Sequence, residues 1–143
     1  MTLEECCREE VVVVSSETTA TDMARVMESR NVDSVIIVSG ENKPLGIVTD
    51  RDLAVRIVAR GEDPGTVRAR DIMSGDLVTF SEGTGIYQAI EQMTRRGIRR
   101  MPITGRDGRL VGIITLDDII RLIGEEMSKI AGNIEKQSPP IPR

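Results

Sequence analysis

Gly46-Ile47-Val48-Thr49-Asp50-Arg51-Asp52-Leu53 stands again 66 residues later as Gly112-Ile113-Ile114-Thr115-Leu116-Asp117-Asp118-Ile119. Each copy is a short apolar run with β-branched residues, then a threonine, an acid three residues on, and apolar residues at helical spacing. That order predicts strand, turn and helix. A threonine at the N-cap with an acid at the third helical position makes a capping box. The same hydroxyl and carboxylate also offer ligand-binding groups at a helix start. The recurrence marks an internal repeat, and the fold is read from it.

The same offset relates the rest of the chain to itself. Val11-Val12-Val13-Val14 and Leu77-Val78-Thr79-Phe80 read as buried strands, each followed by a serine, Ser15 and Ser81. Ala20, Met23, Ala24 and Met27 fall on one helical face, as do Ile86, Ala89, Ile90 and Met93, with Thr18 and Thr84 as candidate caps. Met23, Met27 and Met93 belong to the core on this spacing. Asn31 and Gly97 are the expected left-handed helix ends. Ser34 to Val38 and Arg100 to Thr104 read as strands; Pro102, lacking a donor, belongs at a strand start or on an unbonded side. Asp107-Gly108 predicts a hairpin turn. The helix after Asp52 should end at Gly61, and the one after Asp118 should run to about residue 136.

These elements predict a mixed α/β (α+β) protein of two β-α-β-β-α repeats, packed through their sheets about a pseudo-two-fold axis. The expected divisions are a lead-in arm at 1–10, a first repeat at 11–61 and a linker at 62–76. A second repeat with an extended C-terminal helix follows at 77–136, then a disordered tail at 137–143. The lead-in, from Thr2 to Glu9, reads as a short, frayed helix.

Composition removes several functions. Aromatic residues are 1% of the 143, Tyr87 and Phe80 alone, so stacking platforms for nucleic-acid bases are missing. A net charge of -4 and a sequence pI near 5.0 argue against a general affinity for nucleic acid or anionic membrane. No stretch approaches the ~18 apolar residues of a membrane span. The acidic N-terminus (Glu4, Glu5, Glu9, Glu10) lacks an export pattern, so a cytoplasmic protein is expected. Histidine is absent, which takes away the commonest general base and metal ligand; neither an enzyme nor a metal site is expected. Cys6 and Cys7 are adjacent, unlike zinc or redox pairs, and read as reduced small apolar residues.

The element order, the doubled Gly-x-x-Thr-x-x-Asp signature and the Asp71-Ile72-Met73-Ser74 lead-in together resemble a tandem CBS-domain pair, or Bateman module, over about residues 11 to 130. The resemblance implies a regulatory sensor that is not a catalyst, binds an adenosine-containing ligand (AMP, ADP, ATP or S-adenosylmethionine) between its repeats, and forms a homodimer. It implies Asp118 and Asp52 as ribose ligands, one in each cleft. Thr115, with Arg99 and Arg100, would meet phosphate at the Asp118 cleft; Thr49, with Arg51, would do so at the Asp52 cleft. Val12, Val32 and Asp33 would line the adenine side of the first, Val78 and Ile98 that of the second. Because Asp33 and Ser34 stand where the second copy has Arg99 and Arg100, the Asp118 cleft is the one expected to take a charged nucleotide.

The chain departs from the family pattern in the lead-in from Glu4 to Cys7 and in the missing basic group at Ser34. Two plainer readings stay open. Asp52 and Asp118 are also explained as capping acids, worth on the order of 1 kcal/mol each, and Arg95 and Arg96 as a solvated face. The alternative function is a ligand-free interaction or scaffold module whose helices dock an unknown protein partner.

Overall fold

The computed structural model describes residues 1–137. The elements are α1 (Leu3–Cys6), β1 (Val13–Ser15), α2 (Ala20–Arg30), β2 (Ser34–Val38), β3 (Pro44–Thr49) and α3 (Asp50–Leu53), which continues as a π-helical turn over Ala54–Val58. Then come α4 (Ala69–Ile72), β4 (Phe80–Ser81), α5 (Ile86–Arg96), β5 (Arg100–Thr104), β6 (Leu110–Thr115) and α6 (Leu116–Gln137). The expected tail lies outside the described residues from 138 onward. Residue 137 itself is helical.

Two three-stranded sheets form, ordered β1-β2-β3 and β4-β5-β6, each with a parallel first pair and an antiparallel second pair. The first strand of each is shorter than its apolar run. Pro102 explains the difference between the copies, and it sits mid-strand rather than at a strand start. Its counterpart Ile36 donates its N–H to Val12 O at 3.0 Å, and β1 pairs from Val13 onward. Pro102 has no N–H, so the parallel ladder of β4 begins one step later, at Phe80 opposite Ile103.

Asn31 (φ 53°) and Gly97 (φ 65°) end α2 and α5 in the left-handed conformation, as their types predict. The caps differ from expectation. Thr19, not Thr18, accepts from Asp22 N, and Gly85, not Thr84, precedes α5. Thr18 and Thr84 bond instead to Ser15 and Ser81, and their carbonyls accept the N–H groups of Ala69 and Leu3.

Those last two bonds show how the halves close. Segment α1 precedes the first repeat but packs on the second, where Leu3 is fully buried with Ile86, Ala89 and Met93. Segment α4 precedes the second repeat but packs on the first, where Ala69 and Ile72 join Ala20, Met23 and Met27. Thr2 bridges Gly85, and Arg68 bridges Thr19. Each core is completed by the lead-in of the other. Buried Leu3 is why α1 is anchored rather than frayed.

The same crossing explains the glycine in the repeated signature. A Cβ on Gly112 would meet Cys7 Sγ at 2.6 Å and Arg8 O at 2.8 Å; on Gly46 it would meet Met73 at 2.9 Å. Cys7 and Met73 occupy the same offset and lie over the strand. Burial pushes both thiols, Cys6 and Cys7, above the usual cysteine range, which keeps them protonated and packed.

Helix α6 departs most from the expectation that apolar periodicity means core. Ile119 is buried, but Ile120, Ile123, Met127, Ile130 and Ile134 are exposed, as is Tyr87 beside them. Ala24, on the same helical face as Ala20 and Met23, is also exposed; it lines an apolar groove of ≈ 480 Å³ with Ala20, Leu53, Ile57 and Val58.

Candidate ligand-binding cleft

Strand β6 delivers Thr115 to the start of α6, and the capping box forms: Thr115 N donates to Asp118 Oδ2 at 3.2 Å, and Asp118 N donates to Thr115 Oγ1 at 3.1 Å. The first copy repeats it, with Thr49 N to Asp52 Oδ2 at 2.8 Å and Asp52 N to Thr49 Oγ1 at 3.1 Å. Both acids therefore do the capping that their position requires. What surrounds them is not the same.

The Asp118 side chain is 5% exposed, against 26% for Asp52. Arg8 reaches Asp118 Oδ1 through Nε at 3.0 Å and Nη2 at 2.6 Å, and Arg121 Nη2 reaches the same oxygen at 2.9 Å. Burial pushes the Asp118 carboxyl up, but the bonds from Arg8 and Thr115 outweigh it and hold the group below the usual carboxylate range. At Asp52 the nearest guanidinium atom, Arg56 Nε, stands 3.7 Å away.

A cavity of ≈ 520 Å³ opens between the repeats beside Thr115 and Arg8; Asp118, bonded to both, is not itself in its lining. Val12, Val32 and Asp33 of the first repeat line it together with Thr115 of the second, so four residues singled out in the sequence meet there. Arg100 binds Asp33 across the repeats, Nη1 to Oδ1 at 2.7 Å and Nη2 to Oδ2 at 3.3 Å. Arg99 stands 3.9 Å from Asp117 on the surface. Both cations named for phosphate at the Asp118 cleft thus face carboxylates. Val78 and Ile98, named for the other cleft, pack against the second core. Arg51 is exposed on the first turn of α3.

Sequence reasoning missed Arg8, Glu10 and Asp50, which also line the cavity. One signal was available for Arg8: it stands at the offset of Ser74, immediately after the lead-in helix, where the other copy has no charge. No group of three or more Cys, Asp or Glu is arranged to hold a metal among the described residues.

A family model described as the CBS domain matches residues 3–59 and 69–125. The chain belongs to the CBS-domain family. Both matches include the lead-in helix, consistent with its place in a core. An uncharacterised protein of Methanopyrus kandleri is 39% identical over 132 residues, which is 87% of this chain and 67% of the relative. This CBS chain thus spans about two thirds of that relative's length. Among solved structures, Hypoxic Response Protein I with two coordinated zinc ions is similar, with TM-score 0.77 and 27% identity over 85% of this chain and 98% of that one. A CBS domain pair in complex with 5'-methylthioadenosine and S-adenosylmethionine shares the fold, with TM-score 0.78 and 23% identity, covering 88% and 98%. The CBS pair is a regulatory module, and nothing in these relations assigns this chain an enzymatic activity.

Proposed function

We propose that this CBS pair is a non-catalytic sensor that holds an adenosine-containing ligand (AMP, ADP, ATP or S-adenosylmethionine) in the Asp118 cleft. The observation that carries the reading is the cavity itself, in which Val12, Val32 and Asp33 of one repeat face Thr115 of the other. Val12 and Val32 would flank the base, Asp118 would accept from the ribose hydroxyls, and Thr115 with the first amides of α6 would meet phosphate oxygens. Arg99 and Arg100 would join them by leaving Asp117 and Asp33. Asp52, Thr49 and Arg51, with Val78 and Ile98, would form the pseudo-symmetric second cleft. A CBS pair of the same fold takes ligands of this class.

Because the cleft lies between the repeats, a ligand that prefers one spacing of them shifts the chain toward it. A thermal-shift panel of AMP, ADP, ATP and S-adenosylmethionine tests the reading. A ligand at 100 times its dissociation constant raises stability by about 2.7 kcal/mol, a shift of several degrees, and Asp118→Ala abolishes it. A panel in which no ligand moves the midpoint rejects the sensor. It leaves the interaction-module reading, which the exposed apolar face of α6 favours. That face also supports a homodimer.

A further inference from the structure

Arg8 makes the two clefts inequivalent. Its backbone is pinned to β6 by reciprocal bonds, Arg8 N to Ile113 O at 2.9 Å and Ile113 N to Arg8 O at 3.0 Å. Its guanidinium and that of Arg121 place three N–H donors on Asp118 Oδ1, while Oδ2 already accepts from Thr115 N. A carboxylate has about four lone-pair sites, two on each oxygen; three donors crowd Oδ1, and Oδ2 keeps one site beside Thr115 N. The two ribose hydroxyls therefore cannot both find an acceptor there while Arg8 stays. At Asp52, Oδ1 has no guanidinium nitrogen within hydrogen-bond reach. The counterparts of Arg8 and Arg121 are Ser74 and Val55, so the blockage is not required by the fold.

We infer that Arg8 is a specificity-determining residue of the Asp118 cleft: it occupies the carboxylate a ribose would use, and the ligand's own anionic group must receive the displaced guanidinium. The inference rests on the adenosine reading above. Arg8 lines the cavity from a pinned backbone, so its displaced head group stays within reach of whatever binds there. Glu10 and Asp50 also face the cavity, but from exposed positions, where a pair is worth little. Asp33, which Arg100 would leave for the ligand, is exposed as well. A phosphate inside the cleft is the stronger partner. The cleft therefore selects a nucleotide over the bare nucleoside.

Calorimetric titration of AMP and of adenosine into wild type, Arg8→Ala and Arg8→Lys tests this. Arg121 stays on Asp118 in both variants, so no buried charge is left unpaired; the lysine variant carries the test should the alanine variant not fold. Wild type should prefer AMP. Arg8→Ala should bind adenosine about tenfold more tightly than wild type, ~1.4 kcal/mol, and its preference for AMP over adenosine should shrink, with Thr115 and Arg100 keeping the remainder. Arg8→Lys should fall between, and the gain should vanish when Asp118→Ala is added. If both ligands bind but Arg8→Ala leaves their ratio unchanged, the selector is wrong and the sensor stands. If neither ligand binds any variant, both fall.

Discussion

At Asp118 one carboxylate caps α6 and is held by two arginines. Its protonation is therefore linked to folding. Its carboxyl sits lower in the folded chain than in the unfolded one, near the ordinary value of about 3.9. The stabilisation is fully present above that unfolded value and is lost as pH falls through the folded value. Urea unfolding followed from pH 6 down to pH 3 should show wild-type stability falling in the acid part of that range, with Asp118→Asn falling less steeply. Parallel slopes would mean that Asp118 does not carry the linkage. The capping role was legible from Thr-x-x-Asp alone. The contact with Arg8 was not, because Arg8 is 110 positions away in the chain and meets Asp118 only through the crossing of α1 onto β6.

At the scale of elements, the same glycine deletion has opposite consequences in a strand and a helix. Gly112 lies under the lead-in, with Cys7 and Arg8 where a Cβ would go; Gly124 lies within α6 with nothing within 4 Å. Gly112→Ala should cost about 1–3 kcal/mol through overpacking. Gly124→Ala should raise stability by roughly 0.5–1 kcal/mol, because glycine is a poor helix former. Chemical denaturation of both variants decides it: equal effects of one sign would rule out the close approach of α1. Helices α2 and α5 were readable from their apolar period, and Asn31 and Gly97 end them as predicted, although their N-caps fall one residue later than expected. The π-helical turn at Ala54–Val58 was not, since the apolar spacing of its residues is that of an ordinary helix. Nor was the loss of one ladder step at Pro102, which depends on the face of β5 that β4 approaches.

For the whole molecule, the exposed stripe of Ile120, Ile123, Met127, Ile130 and Ile134 is too apolar and too continuous to be ordinary surface. We propose that a second copy covers it. Light scattering should give a dimer for the wild type and a monomer for Met127→Glu with Ile130→Glu, with the fold retained because neither side chain contributes to a core. A wild-type monomer would reject the homodimer and return the face to a different protein partner.

The sequence by itself determined the repeat, the order of elements in each copy, the left-handed ends of α2 and α5 and the capping boxes. All of these follow from contacts within a few residues or from identity at a fixed offset. Four lining residues of the cleft, Val12, Val32, Asp33 and Thr115, were reachable through the resemblance to CBS pairs that the repeated signature carries. The tertiary structure alone decided three things. It exchanged the lead-ins between cores, since Leu3 and Ala69 find apolar cover only on the opposite repeat. It left one face of α6 outside both cores, although periodicity cannot distinguish a stripe facing the core from one awaiting a partner. It set Arg8 on Asp118 and Arg100 on Asp33, because side chains far apart in the chain pair only where packing brings them within a few ångströms and takes water away from one of them.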